Sequence, residues 1–214
     1  MSENVTWHEG AVAREQREAI AGGPGMTIWL TGLPGSGKSS VANGVAVILA
    51  NRGRAAYTLD GDNIRHGLNS DLGFSAADRT ENVRRIGEVA RLMADAGLVV
   101  LVPVISPYRR DRAAVRRAHQ TAGLPFGEVH VATSLTECER RDPKGLYARA
   151  RRGELAGLTG IDDPYEHPLE PECTIGRGEP IEESIDAVVT LIDSLSGPMR
   201  QGTSVPPYRT EPTA

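Results

Sequence analysis

A glycine-rich segment at residues 32–39 carries the residue types that hold phosphate groups. Its spacing is Gly, four residues, Gly, Lys and Ser, which is the pattern of a phosphate-binding P-loop. The glycines let the backbone curl so that N–H groups face phosphate oxygens, while Lys38 adds a charge near the β- and γ-phosphates and Ser39 can ligate Mg²⁺. The pattern predicts a nucleoside triphosphate site made of Gly32, Leu33, Pro34, Gly35, Ser36, Gly37, Lys38, Ser39 and Ser40.

Two aspartates directly follow the apolar run at residues 55–59. We expect Asp60 to support Mg²⁺ together with Ser39, and Asp62 to orient or deprotonate an acceptor hydroxyl. The alternative is that this segment is only a polar turn. Its position at the end of a predicted strand, beside the P-loop, favours the metal and acceptor roles.

The strongest apolar run, residues 98–105, ends in Ile105 and is followed by Ser106. Many P-loop ATPases use an acidic residue from a later strand to hold the metal. Because a serine follows this strand and the acids follow another, the pattern favours a small-molecule kinase.

Four further residues could bind the acceptor. Arg79 and Asn82 lie three apart at the start of a predicted helix and therefore share one face, and Arg65 precedes them. The arginines offer a fork for an anion, and Phe74 offers a flat ring for a base. A solvated charged face is the alternative.

A basic run, residues 109–117, follows Ser106. Because no aromatic residues are interleaved with its arginines, we interpret it mainly as surface. Either Arg109 or Arg112 is expected to reach phosphate.

Strands and helices alternate along the chain, which predicts an α/β fold of the P-loop type, with a parallel sheet covered by helices on both faces. The predicted strands are residues 27–31, 55–59, 98–105, 128–133 and 173–175, and the strand at 55–59 is expected to be buried. The predicted helices are residues 12–20, 38–52, 79–96 with Asp78 as its cap, 111–120 and 181–195.

The chain is predicted to form one kinase domain, residues 26–195, preceded by a polar segment and linker at residues 1–25. Residues 140–168 are rich in Arg, Gly, Asp and Pro and show little apolar periodicity. A segment of this length without its own core predicts a mobile lid. The composition of residues 196–214 predicts a disordered tail.

Composition excludes several classes of protein. The net charge of −4 gives no reason to expect nucleic acid or an anionic membrane as a partner. Cys138 and Cys173 lack metal-site spacing, so we expect neither zinc nor a disulfide framework, and a reducing cytoplasm fits. No apolar run reaches the length of a membrane helix.

Several segments are similar to the signatures of adenylyl-sulfate (APS) kinases. Residues 60–65 read D-G-D-N-I-R, and the other matching segments are residues 72–75, 78–85, 105–109, 138–147 and 159–166. The resemblance covers residues 6–195. It implies transfer of the γ-phosphoryl group of ATP to the 3′-hydroxyl of APS, giving PAPS and ADP, with Mg²⁺ as cofactor. It also implies a homodimer and a functional link to a separate ATP sulfurylase in sulfate assimilation.

The same resemblance implies which residues bind APS. They are Asp62, Asn63, Ile64, Arg65, Phe74, Arg79, Asn82, Ile105, Ser106, Lys144, Leu158 and Thr159. Ser106 matches a serine described in the family as a phosphoserine intermediate, although a hydroxyl that only binds and orients would look the same in sequence. The implied catalytic residues are Ser106, Asp62 and Lys38.

Two residues depart from the family pattern. Leu158 stands where phenylalanine is common, so one of the two rings around the APS adenine is replaced by an aliphatic side chain, which predicts altered affinity. Ser39 stands where threonine is usual and keeps the hydroxyl. Leu158 leaves open a kinase for another nucleotide with a 3′-hydroxyl. A nucleotide-controlled switch is a further alternative. The absence of a guanine-reading N-K-x-D run argues against it.

Overall fold

The computed structural model describes His8 and residues 10–197, so most of the predicted tail lies outside the described residues. Five strands form one parallel sheet: β1 Met26–Thr31, β2 Ala56–Thr58, β3 Val99–Pro103, β4 Phe126–Val131 and β5 Cys173–Ile175. Their order across the sheet is β2-β3-β1-β4-β5. The described helices are α1 Arg14–Ile20, α2 Lys38–Asn51, α3 Gly61–Arg65, α4 Ala76–Asp95, α5 Arg109–Thr121, α6 Leu135–Arg141, α7 Leu146–Arg151 and α8 Ile181–Leu195.

The central strand β1 is fully buried and separates two apolar cores. Because side chains alternate along a strand, Ile28 and Leu30 face one core while Trp29 faces the other. The first core packs β1, β3 and β4 against α2 and α8, and the second packs the opposite face against α4 and α5. The predicted α/β fold with helices on both faces is therefore confirmed, and the P-loop leaves the sheet from its most constrained strand.

The strand predicted at residues 55–59 is shorter and less buried than expected. It is β2, an edge strand that pairs only with β3, and the side chain of Tyr57 is 54% exposed. A short apolar run does not reveal which sheet position it occupies, which is why the prediction of a buried strand was wrong.

Pro103 is tolerated because of where β2 ends. It lies opposite Leu30 of β1, while the last residue of β2, Thr58, pairs two residues earlier with Leu101. The N–H that proline lacks therefore has no strand to reach, as expected for proline in a strand.

Helix α4 begins earlier than predicted. Its cap is Ser75, whose hydroxyl oxygen accepts a hydrogen bond from Asp78 N at 3.2 Å, so Asp78 lies inside the first turn instead of capping it. Both residue types can cap a helix, and only the extended backbone of Ser75 decides between them.

The segment at residues 140–168 has a small core, contrary to the prediction. Leu33, Cys138, Tyr147 and Leu158 are buried together, and α6 and α7 pack around them. The premise that this segment lacks a core was wrong, because its apolar residues pack with those of the adjoining α6 and with Leu33 of the P-loop, which is distant in sequence. Its mobility stays a prediction. Within the described residues, no helix is long and apolar enough to cross a membrane.

Candidate active site

The P-loop connects β1 to α2 and has the backbone that its glycines permit. Gly35 and Gly37 have φ values of 73° and 101°, in the left-handed region that side chains disfavour. A Cβ at Gly32 would lie 2.6 Å from the carbonyl oxygen of Val131 on the neighbouring strand. The sequence pattern thus produces a tight loop at the carboxyl edge of the sheet, where ligands of such folds bind.

Lys38 is buried inside this loop. Its Nζ donates hydrogen bonds to Gly32 O at 3.0 Å, to Leu33 O at 2.7 Å and to Ser36 Oγ at 3.2 Å. Burial is the main cause that lowers the pKa of Lys38 to about 8. The ammonium group is therefore held by weak neutral acceptors, which a phosphate group would replace with a charged one.

We expect the affinity for Mg-ATP to depend on the charge of Lys38. Because its pKa is lowered to about 8 in the empty protein, Lys38 loses its proton above that pH, and binding must restore the proton. The dissociation constant should therefore rise above a pH of about 8 and approach about tenfold per pH unit. Calorimetric titration with AMPPNP across this range checks it. A flat profile, or one equal to that of a Lys38→Met variant, would contradict the assignment.

Ser39 and Asp60 meet as expected at the predicted metal position. The hydroxyl of Ser39 donates to Asp60 Oδ2 at 2.8 Å, and Asp60 Oδ1 accepts from the N–H of Asp62 as the cap of α3. Within the described residues, no group of three or more His, Cys, Asp or Glu side chains could hold a metal. One carboxylate and one hydroxyl nevertheless suit Mg²⁺, which keeps several waters and takes further oxygens from the nucleotide. These two residues would hold it.

Asp62 and Lys144 form an ion pair between α3 and the loop before α7. Both side chains are more than half exposed, so the pair itself adds little stability. The contact places two predicted acceptor-site residues, which are 82 positions apart in sequence, next to each other, and both lie close enough to Lys38 of the P-loop to shift its pKa.

Phe74 presents its ring to solvent and is 65% exposed. The guanidinium of Arg65 lies 4.4 Å from the ring centre and that of Arg79 lies 5.9 Å from it. Arg79 Nε also donates to Phe74 O at 3.0 Å. Asn82 is buried one turn further along α4, where its Oδ1 accepts from Asn69 Nδ2 at 3.0 Å. The structure therefore brings the predicted ring and fork together.

The remaining predicted acceptor residues occupy different environments. Asn63 is exposed on α3, whereas Ile64 is half-buried and packs on the core beneath α4. Thr159 is fully buried, with its hydroxyl 3.3 Å from Asp163 Oδ2. Leu158 is buried among the lid's apolar residues, and Arg79 reaches its neighbour by donating to Gly157 O at 2.5 Å. In this state Leu158 fills the lid core instead of presenting an open surface for a base.

Ser106 follows β3 and Ile105 and is buried in an unusual backbone conformation, with a φ of 41°. Its Oγ accepts from Trp29 Nε1 at 3.0 Å and donates to Thr31 Oγ1 at 3.1 Å. Thr31 in turn lies 3.0 Å from the hydroxyl of Tyr165. The Ser106 hydroxyl therefore both donates and accepts a hydrogen bond within the protein.

Arg112 does not reach toward phosphate, which corrects that part of the prediction for the basic run. It is 2% exposed, and its guanidinium pairs with Glu128 Oε1 at 2.7 Å. The same group donates to Ser106 O and to Glu166 O, both at 2.6 Å. Arg109 is also occupied, because its Nε donates to His167 O at 2.7 Å. Charge runs do not reveal which arginines have a buried carboxylate to pair with.

Sequence reasoning missed several residues that shape the site. Trp29 and Tyr165 complete the hydroxyl network of Ser106, and Tyr147 and Thr133 bond to the P-loop. Arg141 places its Nη1 within 3.8 Å of where a Cβ of Gly37 would lie. The indole N–H of a tryptophan in a buried strand was the one available signal, because it requires an acceptor.

Known proteins similar to this chain share both the sequence and the fold. Residues 24–176 match the model of the adenylylsulphate kinase family. The adenylyl-sulfate kinase of Lactiplantibacillus plantarum is 50% identical over 192 residues, which cover 89% of this chain and 92% of that protein. The bifunctional enzyme CysN/CysC of Mycobacterium tuberculosis is 51% identical over 195 residues. That match covers 91% of this chain, which spans only 31% of the length of the bifunctional enzyme.

Solved structures give the same result. The APS kinase CysC of Mycobacterium tuberculosis in complex with AMPPNP and APS has a TM-score of 0.78 and 54% identity, covering 80% of this chain and 99% of that one. A hexameric APS kinase from Thiobacillus denitrificans has a TM-score of 0.60 and 35% identity, covering 83% and 30% of the two chains. Together with the P-loop and the cluster of Arg65, Phe74 and Arg79, these matches show that the chain belongs to the adenylylsulphate kinase family.

Proposed function

We propose that this protein is an adenylyl-sulfate kinase, an ATP-dependent phosphotransferase that gives PAPS and ADP in sulfate assimilation. The observation that carries the proposal is that Asp62 and Lys144 pair with each other and lie close enough to Lys38 of the P-loop to shift its pKa. Beside them, Arg65 of α3, Phe74, and Arg79 of α4 form a second site for an anion and a ring. A relative 54% identical holds AMPPNP and APS together, and this chain has the elements to hold both.

On the donor side, Lys38 exchanges the carbonyl oxygens of Gly32 and Leu33 for the β- and γ-phosphates of ATP. The loop N–H groups hold the same oxygens, and Ser39 with Asp60 would hold Mg²⁺. When bound, Mg²⁺ supplies neutralising charge at the phosphate oxygens. The protein's own task is to place the γ-phosphoryl group at the mouth of the loop, facing Asp62.

On the acceptor side, Phe74 stacks on the base, while Arg65, Arg79 and Asn82 hold the sulfate and phosphate end. Asp62 orients the acceptor hydroxyl and takes up its proton. Lys144, now paired with Asp62, is released to meet the transferred charge. Leu158 and Thr159 close the site from the lid and exclude the water that would otherwise hydrolyse ATP.

Direct transfer between the two nucleotides is favoured over a phosphoserine intermediate. In-line transfer requires positioning and charge neutralisation, both of which the site provides. Ser106 is buried, and its only hydroxyl proton is donated to Thr31. Its contacts to Trp29 and Thr31 suit a residue that holds the loop after β3.

We expect Ser106→Ala to keep turnover. Losing the hydroxyl leaves Trp29 Nε1 without its acceptor, so kcat should fall only about tenfold through misplacement of the loop, and the KM for APS should rise. Steady-state kinetics check this, together with acid-quench analysis of the native protein for phosphoserine. A loss of activity beyond about 10⁴-fold, with the fold intact, would favour the covalent route instead.

The activity itself is tested with purified protein, Mg-ATP and APS in an assay coupled to ADP release, with PAPS identified directly. The proposal requires ADP and PAPS in equal amounts. A panel that includes AMP and other nucleotides with a 3′-hydroxyl tests the acceptor. Phosphorylation of one of these in preference to APS would overturn the substrate assignment while leaving the kinase assignment intact.

We also propose that the protein forms a homodimer, acts on the product of an ATP sulfurylase and works in the cytoplasm. Because the similar APS kinase from Thiobacillus denitrificans is hexameric, the number of chains in the particle has its own test. Light scattering coupled to size exclusion measures the mass of the particle directly, and a mass other than that of two chains contradicts the dimer.

A further inference from the structure

Two side chains outside the P-loop signature hold carbonyl groups of the loop. The hydroxyl of Tyr147 donates to Pro34 O at 2.9 Å, and the hydroxyl of Thr133 donates to Ser36 O at 2.9 Å. Both side chains are buried, so water does not compete for these acceptors. Tyr147 belongs to α7 at the base of the lid, whereas Thr133 lies two residues after β4.

Each of these hydrogen bonds fixes the orientation of a whole peptide unit. Because the peptide bond is planar and trans, the C=O of one residue and the N–H of the next point in opposite directions. Holding the Pro34 carbonyl toward Tyr147 therefore turns the N–H of Gly35 to the other side. The bond from Thr133 to Ser36 does the same for the N–H of Gly37.

These two peptide units need such external control. Gly35 and Gly37 have positive φ values, 73° and 101°, and glycine has little intrinsic preference among backbone conformations. The N–H groups concerned belong to the loop that cradles phosphate oxygens. A loop whose donors already point at the anion does not have to reorganise when the anion binds.

We infer that Tyr147 and Thr133 are positioning residues of the donor site, which orient the N–H groups of Gly35 and Gly37 toward the triphosphate before it binds. The inference rests on the proposed function only in taking ATP as the ligand. Under this inference Tyr147, at the base of the lid, contributes to ATP binding whether or not the lid closes.

The test removes each hydroxyl and measures binding of Mg-AMPPNP by calorimetry. Tyr147→Phe keeps the ring that packs on Leu33, Cys138 and Leu158, and removes the hydroxyl with its bond to Pro34 O and its contact with the Cys138 thiol. Tyr147→Phe and Thr133→Val should each raise the dissociation constant by about two- to tenfold. Thr133→Ser, which keeps a hydroxyl, should bind within about twofold of the native protein, and the KM for APS should stay unchanged in all three.

Thr27→Val is the matched control. Thr27 is fully buried, its hydroxyl bonds to His119 Nε2 at 2.9 Å, and it lies at the start of β1, at the opposite end of the strand from the P-loop. Its loss should lower the melting temperature without changing AMPPNP binding.

The inference is overturned if Tyr147→Phe and Thr133→Val bind AMPPNP as tightly as Thr27→Val does, or if Thr133→Ser is as weak as Thr133→Val. Should Thr133→Val not fold, Tyr147→Phe decides alone, because its packing is retained. A native protein that binds AMPPNP but does not phosphorylate APS would defeat the proposed function and leave this comparison valid.

Discussion

Replacing Lys38 with methionine is expected to lower kcat/KM for ATP by about 10²–10³-fold, the loss typical when one preorganised charged donor is removed from a phosphoryl-transfer site. The native ammonium already lies inside the loop, within 3.2 Å of three oxygens. Methionine fills the same channel without a charge. Initial rates at varied Mg-ATP and saturating APS measure the effect.

Two further variants show whether the loss is specific to the donor side. Lys38→Arg should not restore activity, because a planar guanidinium needs more room than the buried channel offers and cannot act as a compact charge. Lys144→Met changes the chain's other lysine and should raise the KM for APS while ATP binding stays close to native. Equal losses for both substrates in Lys38→Met, with a lowered melting temperature, would indicate a general structural role instead.

Replacing Arg112 with methionine should give the largest loss of stability. Arg112 is buried and pairs with Glu128, so its removal leaves a buried carboxylate with only the weaker contact of Arg116 at 3.3 Å. Breaking a buried pair from one side costs about 3–5 kcal/mol. For a protein of this size that corresponds to a fall in melting temperature of roughly 6–20 °C. Urea unfolding and calorimetry measure both quantities.

The control for this prediction is Arg117→Met, an exposed position on the same helix, which should change stability by less than about 0.5 kcal/mol. The double variant Arg112→Met with Glu128→Leu should recover part of the loss, because it removes both charges from the interior. A double variant less stable than Arg112→Met alone would mean that Glu128 contributes mainly through other contacts.

The parts of the site that follow from local rules were predictable from the sequence. The P-loop needs only its own glycines and lysine, and the pairing of Ser39 with Asp60 follows because parallel strands of one sheet deliver both residues to the same edge, here from β1 and β2 on either side of β3. The same reasoning put Asp62 near the loop, and helical spacing put Arg79 and Asn82 together.

The parts that failed depend on residues far apart in sequence. Burial of Arg112 is decided by Glu128, which lies on the neighbouring strand β4. The engagement of Ser106 needs the indole of Trp29, 77 positions away, and Tyr147 reaches a loop carbonyl 113 positions before it. The Ser106 and Tyr147 contacts join residues that no single sequence window contains, and although Arg112 and Glu128 are only 16 positions apart, hydrophobic periodicity does not report any of these pairs.

The backbone and side-chain bonds of Glu166 limit which part of the predicted lid can move. Its N–H donates to Pro107 O, its carboxylate accepts from Arg109 N, and its carbonyl accepts from Arg112. The C-terminal end of the lid segment is thus hydrogen-bonded to the loop after β3 and to α5. Its N-terminal end is hydrogen-bonded to the P-loop through Tyr147. Any lid movement that admits APS must then take place between Tyr147 and Glu166. Gly153 lies in that stretch with a φ of 73°, and a Cβ there would meet no atom within 4 Å, so we expect its backbone to change first if the lid moves as predicted.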